Sequence, residues 1–458
     1  MRLHLHLNHF EHAYNTLERT KSLNWLGYLS NRNQLRWSAK ETQSQTLVEL
    51  LNELRAEHQW YYRLAFEEIS EEDQKGQHID SATARQELYI REHRMRAITE
   101  QLYLQADNTI YVHVTPPHLQ EIQAALEPST LLIEYYCDAQ NIYVFCINAT
   151  NLYLHRLPIT LPELQQNIRQ LQLNIASALK TGASASATAN LALIGKRILQ
   201  KLYACVLNAQ NITLAEYRRI VIVPSGVLHY LPFHLLHNGT QYLIESHEVT
   251  LLPAAGLLLR QPLRRPAGAL ALAHSWEERL PNTLQEARLV NELFGGEAIS
   301  EQSATRNSFA SAPVQVLHIA AHGEHRLDQP DLSYFQLADG QVYTDDLFQN
   351  DLSYELVTLS ACETGRAYVT AGDELIGLGR GFLYAGAASL ITSLWRVDDG
   401  ITLTFMEHLY RSLQSGASKA EAIRNAQCAI IQAQPQLHPA FWGAFQLIGH
   451  AGPLSRPE

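Results

Sequence analysis

From about residue 218 to its end the sequence predicts an α/β fold, a mostly parallel sheet flanked by helices, and it places an N-terminal α-helical region in front. Three observations predict this. Short β-branched or leucine-rich runs alternate with helix-length segments after residue 218. Those runs are apolar throughout, as strands covered by helices on both faces are. The first 110 or so residues instead carry apolar side chains at helical spacing.

In the helical part, TLVELLNELRAEHQWYYRLAFEEI at 46–69 repeats Leu47, Leu50, Leu51, Leu54, Trp60, Tyr61, Leu64 and Ala65 near helical spacing, with charges between them. Such a stripe packs into a core or against a partner helix. No 34-residue repeat stands out, because Trp25-Leu26-Gly27-Tyr28 compresses the spacing that a tetratricopeptide repeat needs. TGASASAT at 181–188 is small-residue sequence with little to pack, and it predicts a mobile loop between helices at 161–180 and 190–206. The strands of the α/β part are RIVIVP, ALALAH, VQVLHIAA, ELVTLSA and SLITSLW. Helices are expected at 283–294, 374–387, 401–414 and 417–433. Leu403, Met406, Leu409, Tyr410 and Leu413 line the inner face of the third, and Pro435 stops the last.

Two of the strands run straight into reactive side chains. VQVLHIAAHGEH places His322 where the apolar run stops and Gly323 bends the backbone; ELVTLSACETG does the same for Cys362. The residues between them leave room for a crossover, so parallel neighbours would present both side chains at one carboxyl edge. A cysteine attacks as its thiolate, and a free thiol with a pKa of about 8.5 is little ionised at neutral pH. A neighbouring imidazole corrects that by taking the proton. The attacked carbonyl oxygen needs backbone donors, for which the N–H groups of Gly323 and Cys362 are the candidates. The competing account is packing, since cysteine is among the most buried residue types and four of the five here sit in apolar stretches.

Composition narrows the function classes. A net charge of -11 speaks against nucleic acid, and no apolar run approaches the roughly 18 residues that cross a bilayer. Scattered cysteines without framework spacing fit a reducing compartment, so a cytoplasmic location is expected. GLGRGFLYAG at 377–386 lacks the sixth-position glycine of a dinucleotide fingerprint, where Phe382 stands, so its small residues are read as close helix packing. VPSGV at 223–227 is no nucleophile elbow. His322 with His325, and His234 with His237, lack neighbouring ligands in a zinc pattern; neither a metal nor a cofactor is expected.

HIAAHGEH, LVTLSACETG, GDELIGLGRGFLYAGAASLITSLWRVDD and HPAFWGAFQLIG follow one another in an order that resembles the CHAT domains, caspase-like peptidases often found behind tetratricopeptide repeats. RRIVIVPSGVLHYLPFHLL is similar to the first core strand of such a domain, and LEPSTLLIEYYCDAQNIYVFCI to the strand pair that opens the region. The resemblance implies a caspase, gingipain and separase type fold with a His–Cys dyad. By motif, His322 takes the place of the family's histidine and Cys362 that of its nucleophile. It also implies three segments: a helical arm at 1–125, a β-hairpin with helices at 126–217, and the caspase-like core at 218–458.

On this resemblance the expected function is a cysteine endopeptidase that cleaves specific protein substrates, with an activating or inhibitory protein partner acting through the N-terminal helices. Bacterial defence or cell death is the setting the family implies. A catalytically silent scaffold is the alternative. Substrate-pocket signals conflict: Asp373 and Glu374, shortly after the nucleophile, would favour a basic residue, whereas Arg396 would favour an acidic one and Trp395 would offer an apolar wall.

Overall fold

In the computed structural model of the chain the described residues are 4–5, 7, 9–31, 42–66, 80–105, 115–138, 141–207, 213–276, 279–308, 314–324, 332–348, 350–361, 368–369, 375–396 and 398–456. They form two compact units, one of residues 1–29 with 114–458 and one of residues 30–113.

In chain order the strands are β1 (Thr130–Cys137), β2 (Ile142–Ile147), β3 (Leu152–Arg156), β4 (Arg219–Val223), β5 (Glu248–Leu251), β6 (Ala269–Ala273), β7 (Gly296–Ser300), β8 (Val316–Ala320), β9 (Gly323–Glu324), β10 (Tyr334–Leu337), β11 (Gly340–Tyr343), β12 (Leu356–Ser360), β13 (Tyr368–Val369), β14 (Leu375–Ile376), β15 (Ser389–Ser393) and β16 (Phe445–Gly449). One sheet runs β3-β2-β1-β4-β5-β16-β15-β12-β8-β6-β7. The neighbours from β1 to β16 are parallel, and so are those from β15 to β7. Between the two blocks β15 and β16 pair antiparallel, as do β1–β2 and β2–β3. The sheet is therefore mostly parallel, with a reversal at β15/β16 that strand composition alone does not specify.

The short apolar runs are strands because both of their faces are covered. In β6, Ala269, Ala271 and Ala273 join one core, whereas Leu270 and Leu272 join the other. Successive side chains on a strand point to opposite faces, so a strand between two cores has no place for polar alternation. The first core includes Phe405, Met406, Leu409 and Tyr410 of the helix Asp399–Gln414, and the second includes Phe382 and Leu383 of the helix Leu378–Tyr384. Gly381 brings that second helix close, since a Cβ there would run into Leu347 and Thr344. Close packing, not phosphate binding, accounts for the glycines of 377–386.

The expected loop at 181–188 is a correction. Only Gly182, Ala183 and Ser184 separate the helix Leu161–Thr181 from the helix Ala185–Val206. The hydroxyl of Ser184 caps the second helix by accepting from the Ala187 N–H, and Thr188 is fully buried inside it. Alanine is the best helix former, so a capped alanine-rich stretch folds as helix despite its small side chains.

At the edge strand β7, Gly296 has φ +109°, and a Cβ there would collide with the backbone carbonyl of Ala269. Gly296→Ala is expected to cost about 1–3 kcal/mol, read as a lowered thermal midpoint. An unchanged midpoint would show that β7 detaches freely from β6.

The helix Phe10–Asn31 packs on the same unit through Ala13, Tyr14 and Leu17, with the Tyr14 ring 5.6 Å from that of Phe145. It also carries buried charge. The Glu18 carboxylate accepts from the N–H groups of Gly256 at 2.7 Å and Ala255 at 3.3 Å. The Lys21 ammonium donates to the carbonyls of Pro224 at 2.9 Å and Tyr135 at 3.2 Å, and lies 3.6 Å from Glu134 of β1. Further along, the Trp25 ring meets that of Tyr384 at 4.3 Å.

In the second unit the helices Thr42–Phe66 and Ser81–Gln105 pack on one another, and His58 meets Glu92 at 3.0 Å in their buried seam. Leu51 and Leu54 are buried, whereas Leu50 and Trp60 are exposed, so the apolar stripe is narrower than its sequence. Among the described residues no helix is long and apolar enough to cross a membrane.

Candidate active site

The register of the sheet sets the geometry here. Ala273 of β6 pairs with Ala320 of β8, and Ala320 pairs with Ser360 of β12, so the three parallel strands end side by side. His322 follows Ala320 by two residues in sequence, as Cys362 follows Ser360. Cys362 itself lies outside the described residues, as do Asp373, Glu374 and His325.

His322 is held by its surroundings. Its carbonyl accepts from the Gln336 N–H at 2.8 Å, which draws β10 alongside. In the β9–β10 ladder Gly323 faces Phe335. The bond to His322 makes that a non-hydrogen-bonded pair, so the Gly323 N–H points away from the ladder. The imidazole lies flat on the indole of Trp276, 3.8 Å between ring centroids and 10° between planes. Trp276 belongs to the loop after β6, where it has φ 51°, and the Arg279 guanidinium stands 4.6 Å over its ring. Burial, and then the charges of Arg396 and Arg279, push the His322 pKa down to about 4, so the imidazole is neutral at physiological pH. Glu324, two residues on, accepts from the Tyr334 hydroxyl at 3.0 Å.

A cleft opens at the same strand ends. Ala321, Ser360, Ala361 and Ser393 form one side, while Glu286 and Asp399 bring carboxylates to it. Asp399 begins the helix Asp399–Gln414, and its Oδ2 accepts from the Asn282 N–H at 3.1 Å. Burial and then the neighbouring Asp398 charge raise its pKa. Glu286 is 1% exposed, with Oε2 3.3 Å from His318 Nε2. His318 Nδ1 is in turn 2.9 Å from the Tyr410 hydroxyl.

The two sequence candidates at 395–396 stand apart from this cleft. The Trp395 indole N–H donates to the Ala440 carbonyl at 2.6 Å, which ties it to the helix Pro439–Trp442. Arg396 is exposed, and its charge bears on His322. Sequence reasoning missed Trp276, Glu286 and Asp399. Asp399 closes the LWRVDD motif, three residues past Arg396, whereas Trp276 and Glu286 lie in none of the motifs. His234 is also accounted for, because its Nε2 is 2.7 Å from the Gly443 carbonyl. Among the described residues no group of three or more His, Cys, Asp or Glu is placed to hold a metal ion.

A mostly parallel sheet covered by helices on both faces, with its loops gathered at the carboxyl ends of β6, β8 and β12, is the caspase-like peptidase fold. The family model of the CHAT domain matches residues 192–450, more than half of the chain, and the chain belongs to that family. Tetratricopeptide repeat protein 28 of Mus musculus and of Homo sapiens each share 25% identity with it over 54% of this chain and 12% of their own. The chain thus spans about an eighth of the length of these curated relatives. Among solved structures, Saccharomyces cerevisiae separase in its complex with securin matches 88% of this chain and 37% of its own, with 10% identity and a TM-score of 0.51. At that identity the fold is what is shared. The Arg-specific cysteine proteinase gingipain R is less alike, with a TM-score of 0.39 and 11% identity over 64% of this chain and 76% of its own.

Proposed function

We propose that this chain is a cysteine endopeptidase in which Cys362 is the nucleophile and His322 the base. The observation that carries the reading is the pairing of Ala320 with Ser360, each two residues before one member of the dyad. The thiol gives its proton to the neutral imidazole as its sulfur bonds to the peptide carbonyl carbon. The N–H groups of Gly323 and Cys362 receive the oxyanion, and the imidazolium then protonates the leaving amine. Water hydrolyses the remaining thioester and frees the sulfur.

Held neutral by its surroundings, the imidazole is free to take a proton in the attacking step. Control by a protein partner is part of the same reading. The separase structures are themselves complexes with securin. We place that partner on the N-terminal helices and assign the substrate to a small set of proteins, within a defence or cell-death circuit.

Asp399 gives the cleft a carboxylate, so it suits a basic side chain before the cut bond, and Asp373 and Glu374 would act in the same sense. Peptidyl chloromethylketones bearing Arg, Leu or Asp test both levels, with the Cys362 adduct read by intact mass. The Arg probe is expected to react about tenfold or more faster than the Leu probe, as one charge-assisted contact would give. Asp399→Asn is expected to erase most of that difference. Equal rates for the three probes would overturn the basic preference, and silence of all three in the presence of cell lysate would overturn the peptidase.

A further inference from the structure

We propose that Trp276 is a positioning residue for His322, a clamp that fixes the plane of the imidazole just past the end of β8. The inference rests on the reading of His322 as the base and adds a residue that acts through it. A histidine ring turns easily about its last bond, because that torsion has a broad, roughly two-fold profile. Ring contact at 3.8 Å and 10° removes that freedom.

The clamp is built rather than incidental. A tryptophan at φ 51° occupies a left-handed conformation that bulky residues rarely adopt, and it persists only where the surroundings over-determine it. Here they do. The His274 N–H donates to the Ala320 carbonyl at 2.9 Å, fastening the loop to the end of β8, two residues before His322. The Trp276 N–H donates to His274 Nδ1 at 3.3 Å, and the Leu280 N–H closes the turn on the Ser275 carbonyl at 2.9 Å. The Arg279 guanidinium over the indole braces its outer part.

The same clamp sets the electrostatics of the imidazole. Arg279 of this loop and Arg396 after β15 face His322, and the Tyr334 ring approaches from β10 at 6.4 Å, its hydroxyl bonded to Glu324 of β9. The end of β12 lies beside the end of β8, with Ser360 paired to Ala320. The indole keeps water from the face it covers, so the two arginine charges act on a poorly solvated ring and the neutral base is favoured. Removing the indole would let water in and free the ring to turn.

The test is a histidine NMR titration of the full chain, with the His322 signal assigned among 21 histidines by its loss in His322→Asn. The chloromethylketone labelling rate of Cys362 is measured in parallel. Trp276→Ala is expected to raise the His322 midpoint by about one unit or more and to slow labelling about tenfold, while Trp276→Phe stays near the native protein in both. If the alanine variant does not fold, Trp276→Leu serves, because it keeps the bulk and loses the flat face. A midpoint that does not move in either variant would overturn the proposal, as would an equal effect of Trp276→Phe. The two readings fail separately: labelling indifferent to His322→Ala removes the peptidase, whereas the midpoint alone still decides the clamp.

Discussion

The His322→Ala protein is expected to form the Arg-chloromethylketone adduct at Cys362 roughly 10³-fold more slowly than the native chain, in the range lost when a general base is removed. Cys362→Ala is expected to form none. The expectation follows from the sheet register, because Ala320 and Ser360 are paired and each precedes its reactive residue by two. Without the imidazole, only the small thiolate fraction of an ordinary cysteine would react at neutral pH. Folding is not at stake, since the His322 side chain is replaced at a loop position and its backbone bond to Gln336 survives. Intact mass spectrometry over time checks it, with the thermal midpoint as control. A His322→Ala rate within twofold of native would show a reactive thiol that owes nothing to His322, and the dyad would be wrong.

Lys21→Met is expected to cost about 3–5 kcal/mol, the usual penalty for removing one partner from a buried ion pair. Lys21 is almost fully buried, as are Glu18 and Glu134, so two carboxyl groups share one ammonium away from water. Burial, and then the charge of Glu18, push the Glu134 pKa up to about 8, against the opposing pull of Lys21. The folded chain therefore keeps a proton that the unfolded chain has released between about pH 4.5 and 8. Stability contributed by this group is greatest at the acid end of that window and falls as pH rises through it. Thermal midpoints across the window should show that fall in the native protein and a flatter curve in Glu134→Gln. Limited proteolysis should cut Lys21→Met within residues 10–31 first. A Lys21→Met protein with native midpoint and native resistance would mean that the helix is held by its apolar contacts alone.

The strands that were legible in sequence are those with two buried faces. RIVIVP, ALALAH, VQVLHIAA, ELVTLSA and SLITSLW all became strands within a residue or two of their runs. FQLIG was visible as a motif, yet nothing in its composition says that it runs antiparallel to β15, because direction is set by how the helices before it return the chain. GEAIS of β7 is mostly exposed and carries little apolar signal. The candidate site divides in the same way. His322 could be found because strand ends have a local signature, whereas Trp276 depends on one left-handed residue laying an indole on an imidazole 46 positions away. Asp399 was hidden by its double meaning, since an acidic residue in a first helical turn is expected on dipole grounds alone.

The reversal at β15/β16 gives the sheet two carboxyl edges that face opposite ways. β8 and β12, which end two residues before His322 and Cys362, open on one of them. Lys21 grips the other, through the carbonyl that follows β4, and Trp25 touches Tyr384 shortly before β15 begins. A five-residue strand is about 16 Å long, so the amino-terminal helix sits a full strand length from the reactive end. It cannot act as a plug. A partner bound to that helix would sit at the far edge of the sheet from His322.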